Sequence, residues 1–76
     1  MKTGNTKQEQ AYLQVVGQSV REARQNLGLS QEKFALVCKL DRTYISDVER
    51  GERNISLLNL RKIAKGLKVP LSQLIN

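Results

Sequence analysis

The segment from Ser30 to Gly51 constrains this chain most, because two favoured helix starts, Ser30 and Asp41, stand so close that the first helix has room for only about two turns. Ser30 suits an N-cap, Glu32 falls in the positive first turn, and Phe34, Ala35, Val37 and Cys38 supply apolar contacts. Lys39 and Leu40 leave only a short connection before Asp41 opens a second helix, which reads from about Arg42 to Arg50 and stops at Gly51. The result is a helix, a tight turn and a helix.

The flanks are helical as well. Thr6 and Glu9 match a capping box, in which each side chain satisfies a free backbone amide. Leu13, Val16, Val20, Ala23 and Leu27 then recur at spacings of three and four until Gly28 offers a left-handed cap. Downstream, Ser56 caps a helix whose Leu57, Leu60, Ile63, Ala64 and Leu67 share an arc of roughly 120° at 100° per residue. Pro70, at home in a helix's first position, predicts a last short helical turn over 70–75. No strand pattern, repeat or linker interrupts the series, so one domain over 6–76 is expected, with residues 1–5 as a loose tail.

With 76 residues, one modest core is available, burying only roughly 60% of the unfolded surface. A single cysteine and no histidine remove disulfides and His-based metal sites as supplements, which leaves dimerisation. The lone Cys38 suits a reducing compartment and reads as a small buried hydrophobe. The apolar stretches fall short of the roughly 18 residues that span a bilayer, and the opening residues lack a secretory core. A cytoplasmic protein without a membrane anchor is expected. Without histidine, a glycine-rich phosphate loop, a Cys/His cluster or room for a deep pocket, the composition argues against an enzyme, and no cofactor, metal or small-molecule ligand is expected. Thirteen Lys and Arg against seven Asp and Glu give a net charge of +6, which favours a polyanionic partner.

On the third helix Arg42, Ser46, Arg50, Thr43 and Asp47 lie within one arc of about 140°, while Tyr44, Ile45 and Val48 occupy the opposite side and can pack inward. A helix fits the major groove, where arginine pairs with guanine, hydroxyls donate or accept, and a threonine methyl meets that of thymine. Arg42, Thr43 and Ser46 suit that task. Asp47 has two readings: it accepts from a cytosine amino group, or it orients Arg42 or Arg50.

The run LSQEKFALVCKLDRTYISDVERGERNISLLNLRKIAKGLKVPLSQLI resembles the all-α, five-helix helix-turn-helix domain of phage repressor and Cro-type (XRE) regulators, with Ser30, Gln31, Ile45, Glu49 and Gly51 in register. Within that superfamily, DRTYISDVERGERNISLLNLRKIA is similar to controller proteins of restriction-modification systems. The resemblance implies base contacts from Arg42, Thr43, Ser46 and Asp47. It implies backbone or flanking contacts to double-stranded DNA from Gln31, Tyr44, Arg50, Arg53 and Asn54. It further implies a partly buried pair of Arg24 and Glu49 between the first and third helices. The family often has glycine where Lys39 stands, since a left-handed residue closes the turn there; lysine either accepts that conformation at roughly 1 to 2 kcal/mol or closes the turn differently and tilts the reading helix.

Domains of this type dimerise on two half-sites about one DNA turn apart. The expected homodimer interface is Leu58, Leu71, Leu74 and Ile75, surplus apolar surface near the C-terminus; the intramolecular alternative is that Leu71, Leu74 and Ile75 close the core beneath the first helix. By resemblance, such a dimer binds operators near its own promoter, and activation requires a contact with RNA polymerase through carboxylates such as Asp47, Glu49 or Glu52. A phage-type repressor would use the same chemistry. An antitoxin whose main partner is another protein forms the rival class, and little in the chain beyond five helices offers it a contact segment.

Overall fold

Each helix begins where a side chain can satisfy its free amides, and the computed structural model, which describes residues 6–75, bears this out for three of the four expected starts. The tail expected over residues 1–5 lies outside the described residues. In α1 (Lys7–Asn26) Thr6 Oγ1 accepts from the Glu9 amide at 3.1 Å while Glu9 Oε1 accepts from the Thr6 amide at 2.8 Å, completing the capping box. Ser30 caps α2 (Gln31–Cys38) through the Lys33 amide, and Ser56 caps α4 (Leu57–Leu67) through the Asn59 amide. Asp41 stands at the start of α3 (Arg42–Glu49), but its side chain makes no capping hydrogen bond. The last helix, α5 (Leu71–Ile75), begins just after Pro70 rather than on it.

Four of the helices stop in one way. The residue past the last turn turns left-handed, and the next amide reaches back to a carbonyl one turn earlier, the Schellman arrangement. Gly28 and Gly51 do this at positive φ without a Cβ penalty, and Lys39 (φ 59°) and Lys68 (φ 61°) do it with one. At the turn between α2 and α3 the Leu40 amide donates to the Ala35 carbonyl at 2.9 Å, and the Lys39 amide to that of Leu36 at 3.2 Å. Lysine therefore accepts the conformation usual for glycine, and the turn between α2 and α3 closes in the left-handed way.

The helices pack around one core, with α3 against α1 and α2, α4 against α2 and α1, and α5 closing the bottom against α4 and α1. Val20, Phe34, Ile45, Val48 and Ile63 are fully enclosed. Three residues expected to face inward do not: Leu27, Val37 and Leu57 are exposed. Leu27 and Leu57 sit at the very ends of α1 and α4, and Val37 yields the inward position at the end of α2 to Cys38; Leu29, just past the α1 stop, packs on the core in place of Leu27. Leu74 is enclosed at 2% exposure and Leu71 is partly buried against the core, so for this pair the intramolecular alternative holds, and Leu74 has no surface left to offer a second copy.

Gly17 sets the distance between α1 and α3. A Cβ on it would lie 2.3 Å from the Val48 carbonyl oxygen and 2.8 Å from that of Glu49, both backbone atoms that cannot swing aside. Helix propensity alone favours alanine by roughly 1 kcal/mol. The crossing reverses that sign, and Gly17→Ala is expected to lower stability by about 1 to 3 kcal/mol in urea unfolding.

Cys38 lies in the core at the end of α2, where burial pushes its thiol from an ordinary 9.0 up to about 11. The fold accepts the neutral thiol. Its stabilising share is therefore complete below pH 9 and is lost as pH rises through about 11. Urea midpoints taken across that window should fall more steeply for the wild type than for Cys38→Ala.

Candidate nucleic-acid interface

The reading face exists because α3 is gripped from behind. Glu49, at the last turn of α3, receives Arg24 Nε at 2.6 Å and Nη2 at 3.1 Å, a two-pronged pair across the α1–α3 contact. Arg24 Nη1 donates to the Leu29 carbonyl at 2.6 Å, and Gln31 Nε2 donates to Glu49 Oε1 at 2.9 Å. The network thus joins α1, the loop after it, α2 and α3. Among the described residues no buried side-chain nitrogen or oxygen lacks a partner. The Arg24–Glu49 pair expected from the resemblance is present, and Gln31, expected at a phosphate, has its amide nitrogen engaged inward.

With Ile45 and Val48 buried, the opposite side of α3 faces solvent. Arg42 and Thr43 are exposed at its first turn, and Arg42 makes no hydrogen bond or ion pair to another described residue. Ser46 Oγ accepts from Arg50 Nη1, which leaves the serine hydroxyl its own proton to donate. A base acceptor such as guanine O6 or N7 fits that polarity better than a base donor.

Asp47 bonds Arg50, and not Arg42. Its Oδ1 accepts from Arg50 Nη2 at 2.6 Å and its Oδ2 from Arg53 Nη2 at 3.2 Å. Arg50 also reaches Glu52 Oε1 at 3.1 Å. Arg53 in turn stacks over the Tyr44 ring, its guanidinium carbon 4.7 Å from the ring centre. Tyr44 is half-buried against the core, so it serves as a floor for Arg53 as well as a flank of the face. Asn54 is exposed in the loop beyond. Sequence reasoning placed Asp47 and Arg50 on one face of α3 and Tyr44 on the other, and missed the Asp47–Arg53 and Tyr44–Arg53 contacts, which form where the chain turns left-handed at Gly51 after α3.

An outward polar helix held by a buried ion pair, with basic residues at both its ends, defines a helix-turn-helix protein, and the chain belongs to that family: the HTH_3 helix-turn-helix domain matches residues 20–74. Its similarity narrows further, to restriction-modification control proteins. Control protein C.BamHI of Bacillus amyloliquefaciens is 52% identical over 61 residues, which are 79% of this chain and 75% of that protein. The crystal structure of the restriction-modification controller protein C.AhdI from Aeromonas hydrophila superposes with a TM-score of 0.82 at 47% identity, covering 84% of this chain and 97% of the other. C.Esp1396I bound to a 25 base pair operator site superposes with a TM-score of 0.72 at 41% identity, over 78% of each chain. No described helix is long and apolar enough to cross a membrane.

Removing one member of the buried pair strands the other. Glu49→Ala should lower stability by about 3 to 5 kcal/mol, while the double replacement Arg24→Met with Glu49→Leu should recover most of it. Urea unfolding of Arg24→Met, of Glu49→Leu and of the double variant reads the coupling directly.

Proposed function

We propose that the protein is a sequence-specific DNA-binding transcriptional regulator, a restriction-modification controller that lays the outer face of α3 in the major groove. The observation that carries this reading is the exposed Arg42 and Thr43, with the half-buried Ser46 one turn on, along a helix whose inner side is locked by Glu49 and Arg24. Fixed geometry matters because a bidentate base contact tolerates little error in the placement of its donors. Arg42, without a partner among the described residues, reads a guanine; Ser46 donates to a neighbouring acceptor; Thr43 contributes its hydroxyl or methyl. Arg50, Arg53, Tyr44, Asn54 and the N-terminal turn of α2 with Gln31 serve the flanking phosphates.

The working unit is a homodimer on an inverted repeat. Leu58 is 69% exposed, Leu57 equally so, and Ile75 remains partly open beside the buried Leu74, which together form an apolar surface at the α4–α5 end. The 25 base pair operator bound by C.Esp1396I is longer than two DNA turns of about 10.5 base pairs, ample for two half-sites. Such a regulator works in the cytoplasm, where its DNA is. For a contact with RNA polymerase, Glu49 is excluded by burial and Asp47 is largely covered by two arginines, whereas Glu52, paired with Arg50 alone, keeps its carboxylate exposed.

Selection from random duplexes at near-physiological salt should enrich an inverted repeat, and retention without any motif would overturn the reading. On the selected site, Arg42→Ala should cost about 1 to 3 kcal/mol and relax preference at one base position, whereas Arg53→Ala should weaken binding across all sequences.

A further inference from the structure

The reading face carries less free charge than its arginines suggest. Arg50 is bound by Asp47, Glu52 and Ser46, and Arg53 by Asp47 and the Tyr44 ring, so that two of the three arginines are already engaged before any DNA arrives. Asp47 is the shared element: each of its carboxylate oxygens holds a different arginine. Its side chain is only 22% exposed, against 52% for Arg50 and 45% for Arg53, so it lies beneath the guanidinium groups it holds.

This arrangement opposes indiscriminate binding. Nonspecific affinity comes from cations meeting phosphates and releasing counterions, one for about each phosphate neutralised. An arginine held by a carboxylate must either leave that partner or bring its negative charge toward the phosphates. Neither is compensated on a sequence that offers Arg42, Thr43 and Ser46 nothing to bond. On the operator those base contacts bring α3 fully into the groove, and Arg50 and Arg53 are presented in the fixed geometry that Asp47 gives them. Specificity is a difference between two affinities, and a repulsive element aimed at the wrong sites widens it.

We propose that Asp47 is a specificity-determining residue that acts by restraining Arg50 and Arg53, so that the protein discriminates operator from bulk DNA chiefly by weakening its grip on the latter. The proposal rests on the reading of α3 as the DNA-reading helix. It differs from a role for Asp47 as an acceptor for a cytosine amino group, because the loss of a base reader weakens operator binding, whereas the loss of a restraint strengthens binding everywhere else.

The test is Asp47→Asn, which keeps the size of the side chain and removes the charge. Affinity is measured by fluorescence anisotropy on the selected operator and on a scrambled duplex of equal length, across a series of salt concentrations, with urea unfolding of the same samples. Affinity for the scrambled duplex should rise about tenfold, its dependence on log salt should steepen by about 1 to 2, and the operator should be bound no more weakly than by the wild type, so that the specificity ratio falls. The triple variant Asp47→Asn with Arg50→Gln and Arg53→Gln should return the scrambled-duplex affinity toward the wild-type value. Unchanged scrambled-duplex affinity with a weakened operator complex would overturn the restraint in favour of a base contact. A fall in both affinities in step with lowered stability would overturn it in favour of a structural role. Failure of the underlying reading looks different from either, since the wild type itself would then bind both duplexes equally.

Discussion

The two-pronged contact between Arg24 and Glu49 is the interaction on which the rest of the structure depends. It ties the last turn of α1 to the last turn of the helix that faces outward, and through Gln31 and the Leu29 carbonyl it fixes where α2 begins. A buried ion pair of this kind adds little net stability compared with well-packed apolar side chains. What it contributes is direction: charged groups tolerate far less slippage than methyl groups, and α3 is too short to be oriented by its own apolar residues alone. Gly17 works at the same crossing, letting the α1 backbone approach close enough for the pair to form.

A second division of labour separates the faces of α3. The inward residues answer to packing, and the outward ones to whatever α3 meets. Between the two stands the Asp47, Arg50 and Arg53 group, whose arginines are exposed over a largely covered carboxylate and which is internally bonded. It belongs to neither the core nor the bare reading surface, and it gives the loop after Gly51 a defined place over the helix.

Much of this was legible in the sequence because it is local. Thr6, Ser30 and Ser56 announce helix starts through bonds spanning three residues, and Gly28 and Gly51 announce stops through backbone freedom. The stop at Lys68 was not read, since lysine carries no such signature; the clue available was the apolar Val69 after it, which packs on the core as Leu29 and Leu40 do after Gly28 and Lys39. Leu27, Val37 and Leu57 were expected inward but stay exposed while Leu29 and Cys38 take the core positions beside two of them, a choice made by tertiary packing. The role of Gly17 was equally hidden, because nothing in a helical repeat tells which position will meet another backbone. In the site, the set of residues on the reading face follows from helical angle, whereas the bonds among Asp47, Arg53 and Tyr44 follow from a loop fold that no periodicity describes.

The separation of faces on α3 bears on how such a protein changes over time. Arg42 and Thr43 contribute nothing to the core and hold no structural partner among the described residues, so substitutions there leave the scaffold untouched. A lineage can therefore drift from one target to another by altering very few outward side chains, and two copies diverging in one cell can become mutually blind without either passing through an unfolded ancestor.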